Sequence, residues 1–223
     1  MSLDPEHGGR DRIDPAPPRF DWSRVSLNEK TFLHVGCGPA RADKINRIFR
    51  GWREVRLDID PGVQPDIIAC LTSMTDVPDN IVDGLWSSHS VEHLFAHQVP
   101  LAFREFHRVL KPGGTMLVTM PDLEAACQWI VDGKSEVQVP GVKSTAPITP
   151  MDMIYGWRHP IAKGRIFMAH RTGFTSQSLG GIILRAGFPQ VQMRKGNMLD
   201  LWAIAKKGRN ISDPQELVRA MNG

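Results

Sequence analysis

The chain has 223 residues and carries 27 Lys and Arg against 24 Asp and Glu, a formal net charge of +3. Its 41% hydrophobic and 23% charged residues are the composition of an ordinary globular domain, long enough to bury a core without staples. No apolar run reaches the roughly 18 residues of a membrane span, three cysteines do not make a disulfide scaffold, and so weak a positive balance does not argue for nucleic acid.

Residues 1–24 read as an extended or disordered arm. Pro5, Pro15, Pro17 and Pro18 break any helix there, and its aromatic end, Phe20 and Trp22, is placed to pack onto the domain. The arm has no apolar core of a secretory leader, so a cytoplasmic location is expected.

Strand-like and helix-like segments then alternate. Thr31 to Val35 is a short apolar strand followed at once by Gly36-Cys37-Gly38-Pro39. A short helix fits 41–50. Further strands are expected at Arg53–Ile59, Asp66–Cys70 and Val82–Ser87. Residues 91–110 predict a helix, with Leu101, Phe103, Phe106, Val109 and Leu110 recurring at spacings near three and four. Lys111-Pro112-Gly113-Gly114 stops it, and a strand at Thr115–Met120 and a helix over 122–131 follow.

Residues 133–173 break this rhythm with scattered prolines, glycines and isolated aromatics. They read as a long loop inserted over the C-terminal edge of the sheet. Thr175 then caps a helix running to Gly187, and strands at 190–195 and 200–206 are joined through Gly196-Asn197. A last helix is expected after Ser212, with Pro214 in its first turn. The alternation predicts an α/β fold with a parallel sheet covered on both faces. The domain is expected to cover 25–209, with 210–223 as a C-terminal tail.

Glycines just past a first strand permit a tight turn and close approach of a ligand to the backbone. Asp58 ends the second strand, where a carboxylate can accept from both hydroxyls of a ribose. With these features the chain resembles the class I S-adenosylmethionine-dependent methyltransferases. The matching pieces are LHVGCGP (33–39), RLDID (56–60), PDIIACLTSMTDVPDNIVDGLWSSHSVEHL (65–94), FREFHRVLKPGGTMLVTMPD (103–122) and HRTGFTSQSLGGIILRAGF (170–188). A nicotinamide fingerprint would want a third glycine near position 41, which is Arg41.

The resemblance implies a Rossmann-like seven-stranded sheet of order 3-2-1-4-5-7-6 with one antiparallel strand. It implies S-adenosyl-L-methionine as cofactor, with Gly36, Cys37 and Gly38 facing its methionine part by backbone. Asp58 would hold the ribose, Ile59 pack on the adenine, Leu71 flank it, and His89 stand beside both cofactor and substrate. Where the family often has an aspartate before Leu71, this chain has Cys70, and a thiol is a poor acceptor. Either Asp76 or a backbone carbonyl binds the adenine amino group, or cofactor affinity is modest.

His89 and His170 are the candidate catalytic residues. His89 follows the fourth strand, and His170 opens a segment that resembles a motif at the active-site rim. His89 and His93 are spaced like a metal pair, yet no third ligand follows at a fixed spacing, so no metal site is expected. His34, inside the first strand, reads as structural. Tyr155, Trp157 and Arg158 fit either a substrate wall or an anchor for the loop. The expected activity is methyl transfer to a small-molecule acceptor, a sugar or natural-product hydroxyl or amine, by a monomer or homodimer. A protein or RNA methyltransferase, and an inactive cofactor-binding or scaffolding module, are the alternatives.

Overall fold

The computed structural model describes residues 20–25, 28–40, 45–142, 144–213 and 215–222. Most of the proline-rich arm, residues 41–44 of the 41–50 segment and Pro214 lie outside the described residues. Seven strands form one sheet: β1 (Thr31–Val35), β2 (Arg53–Asp58), β3 (Ile67–Ile68), β4 (Val82–Ser88), β5 (Leu110–Pro121), β6 (Val191–Lys195) and β7 (Asp200–Lys206). Their order is β3-β2-β1-β4-β5-β7-β6. β7 runs antiparallel to both β5 and β6, and the other pairings are parallel. This is the Rossmann-like sheet the sequence predicts.

Side chains on a strand alternate between its faces, and the two sides of the sheet divide the core accordingly. Leu33, Leu85, Met116, Val118, Ala203 and Ala205 join the larger cluster, while Phe32, Trp86, Leu117 and Ile204 join the smaller one on the opposite face. The larger cluster is covered by α1 (Val99–Val109) and α5 (Ser176–Arg185). The smaller one takes in Phe49 and Leu217 and Ala220 of α6 (Glu216–Met221), so the C-terminal helix packs as part of the core. His34 is buried there with its Nδ1 2.6 Å from Glu54 Oε1, a structural role. At the N-terminal end Phe20 and Trp22 pack against the larger cluster, and the Trp22 indole N–H donates to the Asp76 carbonyl at 2.7 Å.

Several elements differ from their sequence expectation. The helix predicted over 91–110 is only α1; Val91–His93 is a separate 3-10 turn. Pro100 is the reason, since it lacks the N–H an uninterrupted helix would need there and fits only its first turn. α1 buries Val99, Ala102, Phe103, Phe106 and Val109, each large apolar side chain contributing about 1.5–3 kcal/mol. Leu101 is exposed, and Leu110 already belongs to β5. Lys111 to Gly114 do not interrupt β5; they are absorbed by a register shift opposite Val82–Gly84, and Lys111 Nζ reaches Asp83 at 3.0 Å. The third strand shrinks to Ile67–Ile68. Of the 41–50 helix, the described part holds a 3-10 turn at Arg47–Phe49.

The largest correction concerns 133–173. Instead of a loop, the segment holds α3 (Pro150–Tyr155), α4 (Arg158–Ala162) and a 3-10 turn at Ile166–Met168. It packs on α2 (Leu123–Val131) around a small cluster of Ala126, Val139, Met153 and Leu199. Thr149 and Asp152 form a reciprocal capping box at the start of α3. Asp152 Oδ1 also accepts from Arg158 N at 3.1 Å and Nε at 2.8 Å. Arg158 is thereby an anchor of the segment.

Candidate active site

Strand register brings the candidate residues to one edge. Val35 lies opposite both Leu57 and Ser87, and Ser88 lies opposite Thr119. Gly36, Asp58 and His89 therefore begin or adjoin their loops at a common level, at the C-terminal ends of β1, β2 and β4. The chain leaves β1 for β2 on one side and later adds β4 on the other. Ligands of open parallel sheets sit at such a switch point.

The glycine loop is held by polar contacts on every side. Gly36 has φ +63° and Gly38 φ +58°, a region that glycine enters without steric cost. Ser90 fills the space beside Gly36, and its hydroxyl lies 3.1 Å from the Ser88 carbonyl. Cys37 N–H donates to the Leu57 carbonyl at 3.2 Å. Its thiol is buried, and burial pushes its pKa up to about 11, so Cys37 offers backbone rather than a thiolate. Asp58 Oδ2 accepts from Gly38 N at 2.8 Å and Oδ1 from Asp60 N at 3.0 Å. Each of these oxygens retains a lone pair for a further donor.

Arg56, two residues before Asp58 on the same face of β2, donates to the Gly38 and Val63 carbonyls. The sequence reading missed it, although period-two alternation would have paired it with Asp58. Ile59 is 62% exposed beside Asp58, an apolar side chain left open at the strand end. Leu71 is turned away: its side chain is buried in the larger core cluster. Cys70 Sγ lies 3.1 Å from Thr72 Oγ1.

A second group surrounds Glu92. His89 has φ +50°, an uncommon conformation for a residue with a side chain, and its N–H donates to the Thr119 carbonyl at 2.9 Å. Its half-exposed ring places Nδ1 3.3 Å from Glu92 Oε1. The Glu92 carboxylate is buried, and neither oxygen receives a well-formed hydrogen bond. Burial opposes its ionisation, but the close approach of the His89 ring and the charges of His89, His93 and His170 outweigh it and hold its pKa below the usual value.

The far end of the 133–173 segment closes against this group. The N–H groups of Arg171 and Thr172 donate to the Glu92 carbonyl at 2.8 and 3.2 Å, and the Thr172 hydroxyl donates to the Leu94 carbonyl at 2.6 Å. His170 is brought to 4.0 Å from Glu92 Oε1 through Nε2, with its Nδ1 2.9 Å from the Met153 carbonyl. Burial depresses the His170 pKa against the opposing pull of Glu92. His89 and His170 thus meet through Glu92. Tyr155 and Phe167 are exposed beyond this group.

Parallel strands β1 to β5 with a glycine loop after β1, a carboxylate at the end of β2 and a polar cluster after β4 are the Rossmann-like arrangement in which nucleotide cofactors bind. Residues 33–118 match the family model described as a methyltransferase domain. Solved methyltransferases share the fold. An S-adenosylmethionine-dependent methyltransferase from Archaeoglobus fulgidus aligns with TM-score 0.52 and 15% identity over 80% of this chain and 86% of that one. One from Methanosarcina mazei aligns with TM-score 0.53 and 17% identity over 80% and 92%. One from Mesorhizobium loti gives TM-score 0.52 and 15% identity over 79% and 90%. No curated protein matches the sequence. Residues 33–118 thus match a methyltransferase domain, and the chain has the fold of solved S-adenosylmethionine-dependent methyltransferases.

The residues present fit that cofactor. The two glycines bring no side chain to their positions in the loop after β1 and the Cys37 side chain is buried, Asp58 retains acceptor capacity, and Ile59 offers an open apolar face. Among the described residues no helix is long and apolar enough to cross a membrane.

Proposed function

We propose that this chain methylates a small-molecule acceptor, at a hydroxyl or amine of a sugar or natural product, in the cytoplasm. When bound, S-adenosylmethionine supplies a methyl group on a sulfonium, and the C–S bonding pair stays with sulfur as the acceptor lone pair forms the new bond to carbon. The backbone of Gly36, Cys37 and Gly38 would lie along its methionine part. Asp58 would accept from the ribose hydroxyls, and Ile59 would cover one adenine face. Leu71, with its side chain in the core, would contribute by backbone alone.

His89 would take the acceptor proton on Nε2, with the Glu92 carboxylate behind Nδ1 to orient the ring and stabilise the imidazolium. His170 would line the acceptor side through its contact with Glu92. The 133–173 segment would form the acceptor wall.

The observation that carries this reading is the His89–Glu92 contact, whose two residues flank the Ser90 that packs on the glycine loop. A base and a cofactor loop so close together suit proton removal coupled to transfer. The test is release of S-adenosylhomocysteine across a panel of polyhydroxylated and amine acceptors, beside proteins and RNA. Turnover on small acceptors, lost in His89→Gln with cofactor binding retained, is the expected result. Turnover confined to macromolecules, or undiminished in His89→Gln, would overturn it.

A further inference from the structure

His93 and His170 make parallel use of their Nδ1 atoms. His93 Nδ1 lies 3.3 Å from the Ala169 carbonyl, and His170 Nδ1 lies 2.9 Å from the Met153 carbonyl. A carbonyl only accepts, so Nδ1 carries the hydrogen in both rings and Nε2 is left with a lone pair in each neutral ring. The rings meet edge to face with centroids 5.0 Å apart. Ligand atoms of Glu92, His93 and His170 all lie within 4.8 Å of one another. The site therefore gathers two imidazole lone pairs and a buried carboxylate that His89 Nδ1 approaches only to 3.3 Å, short of a well-formed hydrogen bond. Three acceptors around one point repel unless a cation or a donor stands between them.

We propose that Glu92, His93 and His170 bind a divalent transition-metal ion of the zinc class. Two imidazoles and one carboxylate are a recognised donor set for zinc, and one that leaves a position open for another oxygen. Ligand distances of about 2.0–2.2 Å require the three groups to draw together by about 1 Å, which small side-chain rotations supply. The two backbone carbonyls behind the Nδ1 atoms hold the rings in the ligating tautomer, as outer partners of metal-bound histidines do. His89, 3.3 Å from the same carboxylate, becomes such an outer partner of Glu92. The pair His93–Glu92 comes from the turn after β4 and His170 from the end of the 133–173 segment, so the ion would pin that segment onto the sheet edge. A role in binding the acceptor oxygen rests on the methyl-transfer reading; the metal site itself does not.

The experiment strips the full-length protein with a chelator, then titrates it with Zn2+ by calorimetry and with Co2+ by visible absorption. The expected result is one equivalent bound, with the d–d bands of a low-coordinate nitrogen and oxygen site. Glu92→Gln and His93→Gln are expected to weaken binding by at least about 100-fold, and His89→Gln by about 10-fold. Crystals soaked with Zn2+ are expected to show an anomalous peak between the three side chains, which keeps the test valid if a variant fails to fold. Binding below one equivalent, binding unchanged in the folded variants, or a peak elsewhere only would overturn the proposal. Calorimetry with S-adenosylmethionine on the metal-free protein separates the two readings. Cofactor binding without metal binding sinks this one alone, and metal binding without cofactor binding sinks methyl transfer alone.

Discussion

A Cβ placed on Gly36 would stand 2.1 Å from the Ser90 hydroxyl oxygen and 2.5 Å from Ser90 Cβ. The glycine loop after β1 and the turn after β4 are thus in direct contact, with no room for a methyl group between them. The φ of +63° adds a backbone cost of about 1–2 kcal/mol for any other residue.

Gly36→Ala should therefore destabilise the fold by about 2–4 kcal/mol, overpacking included, and abolish cofactor binding. Ser90→Gly in the same chain should recover part of the stability, since it removes the clashing atoms but not the φ penalty. Chemical denaturation and calorimetry check both. Unchanged stability of Gly36→Ala would show that the loop is free to move away from Ser90.

Asp58 receives backbone N–H groups from both flanking loops. Asp58→Asn keeps the shape but replaces one acceptor with a donor facing an N–H. We expect cofactor affinity to fall by roughly 10-fold to 100-fold, the scale of a lost hydrogen bond to a charged group. Titration calorimetry of wild type and variant measures it, and equal affinities would remove Asp58 from the ribose site.

The 133–173 segment depends on Asp152. Burial pushes its carboxyl pKa up, but hydrogen bonds from Arg158 and Thr149 outweigh this and leave it lowered. Its stabilising contribution is therefore complete above the unfolded value of about 3.9 and is lost as pH falls through the lower folded value. Asp152→Asn should lower stability by about 1 kcal/mol at pH 7, because Arg158 is largely exposed and its charge is screened. The variant should also lose this segment's acid-induced step below about pH 4. Trp129 and Trp157 fluorescence across a pH series reads both effects. An unaltered acid profile would assign the transition to other carboxylates.

His89→Gln should lower kcat by about 100-fold or more once an acceptor is found, while cofactor affinity changes little. Glu92→Gln should lower it less and shift the pH profile, since Glu92 acts through the His89 ring. A KM effect alone in His89→Gln would make the residue a positioning group.

Local chemistry was legible from the sequence where neighbours in the chain decide the outcome. Thr175 caps α5 through Ser178, as the sequence predicts, because a cap needs only the next turn. The strand order followed from the resemblance and stands in the structure. The predicted long helix stops short at Pro100, because the apolar spacing runs on through it while its missing N–H confines it to a first turn. The 133–173 segment read as a loop because α3 and α4 are too short for periodicity to reveal them; they hold together through capping and through Met153 packing beside Ala126.

The sequence by itself determined the alternation of strands and helices, the glycine turn after Val35 and the carboxylate after β2. Each depends on residue type and spacing within a few positions. Only the tertiary structure decided that Leu71 faces the core, that Arg56 holds the Gly38 carbonyl, and that His170 returns to Glu92 and His93. Those relationships join segments separated by helices and strands. Their distances are fixed by how the sheet edge and the 133–173 segment pack, a sum of many contacts that no local pattern encodes.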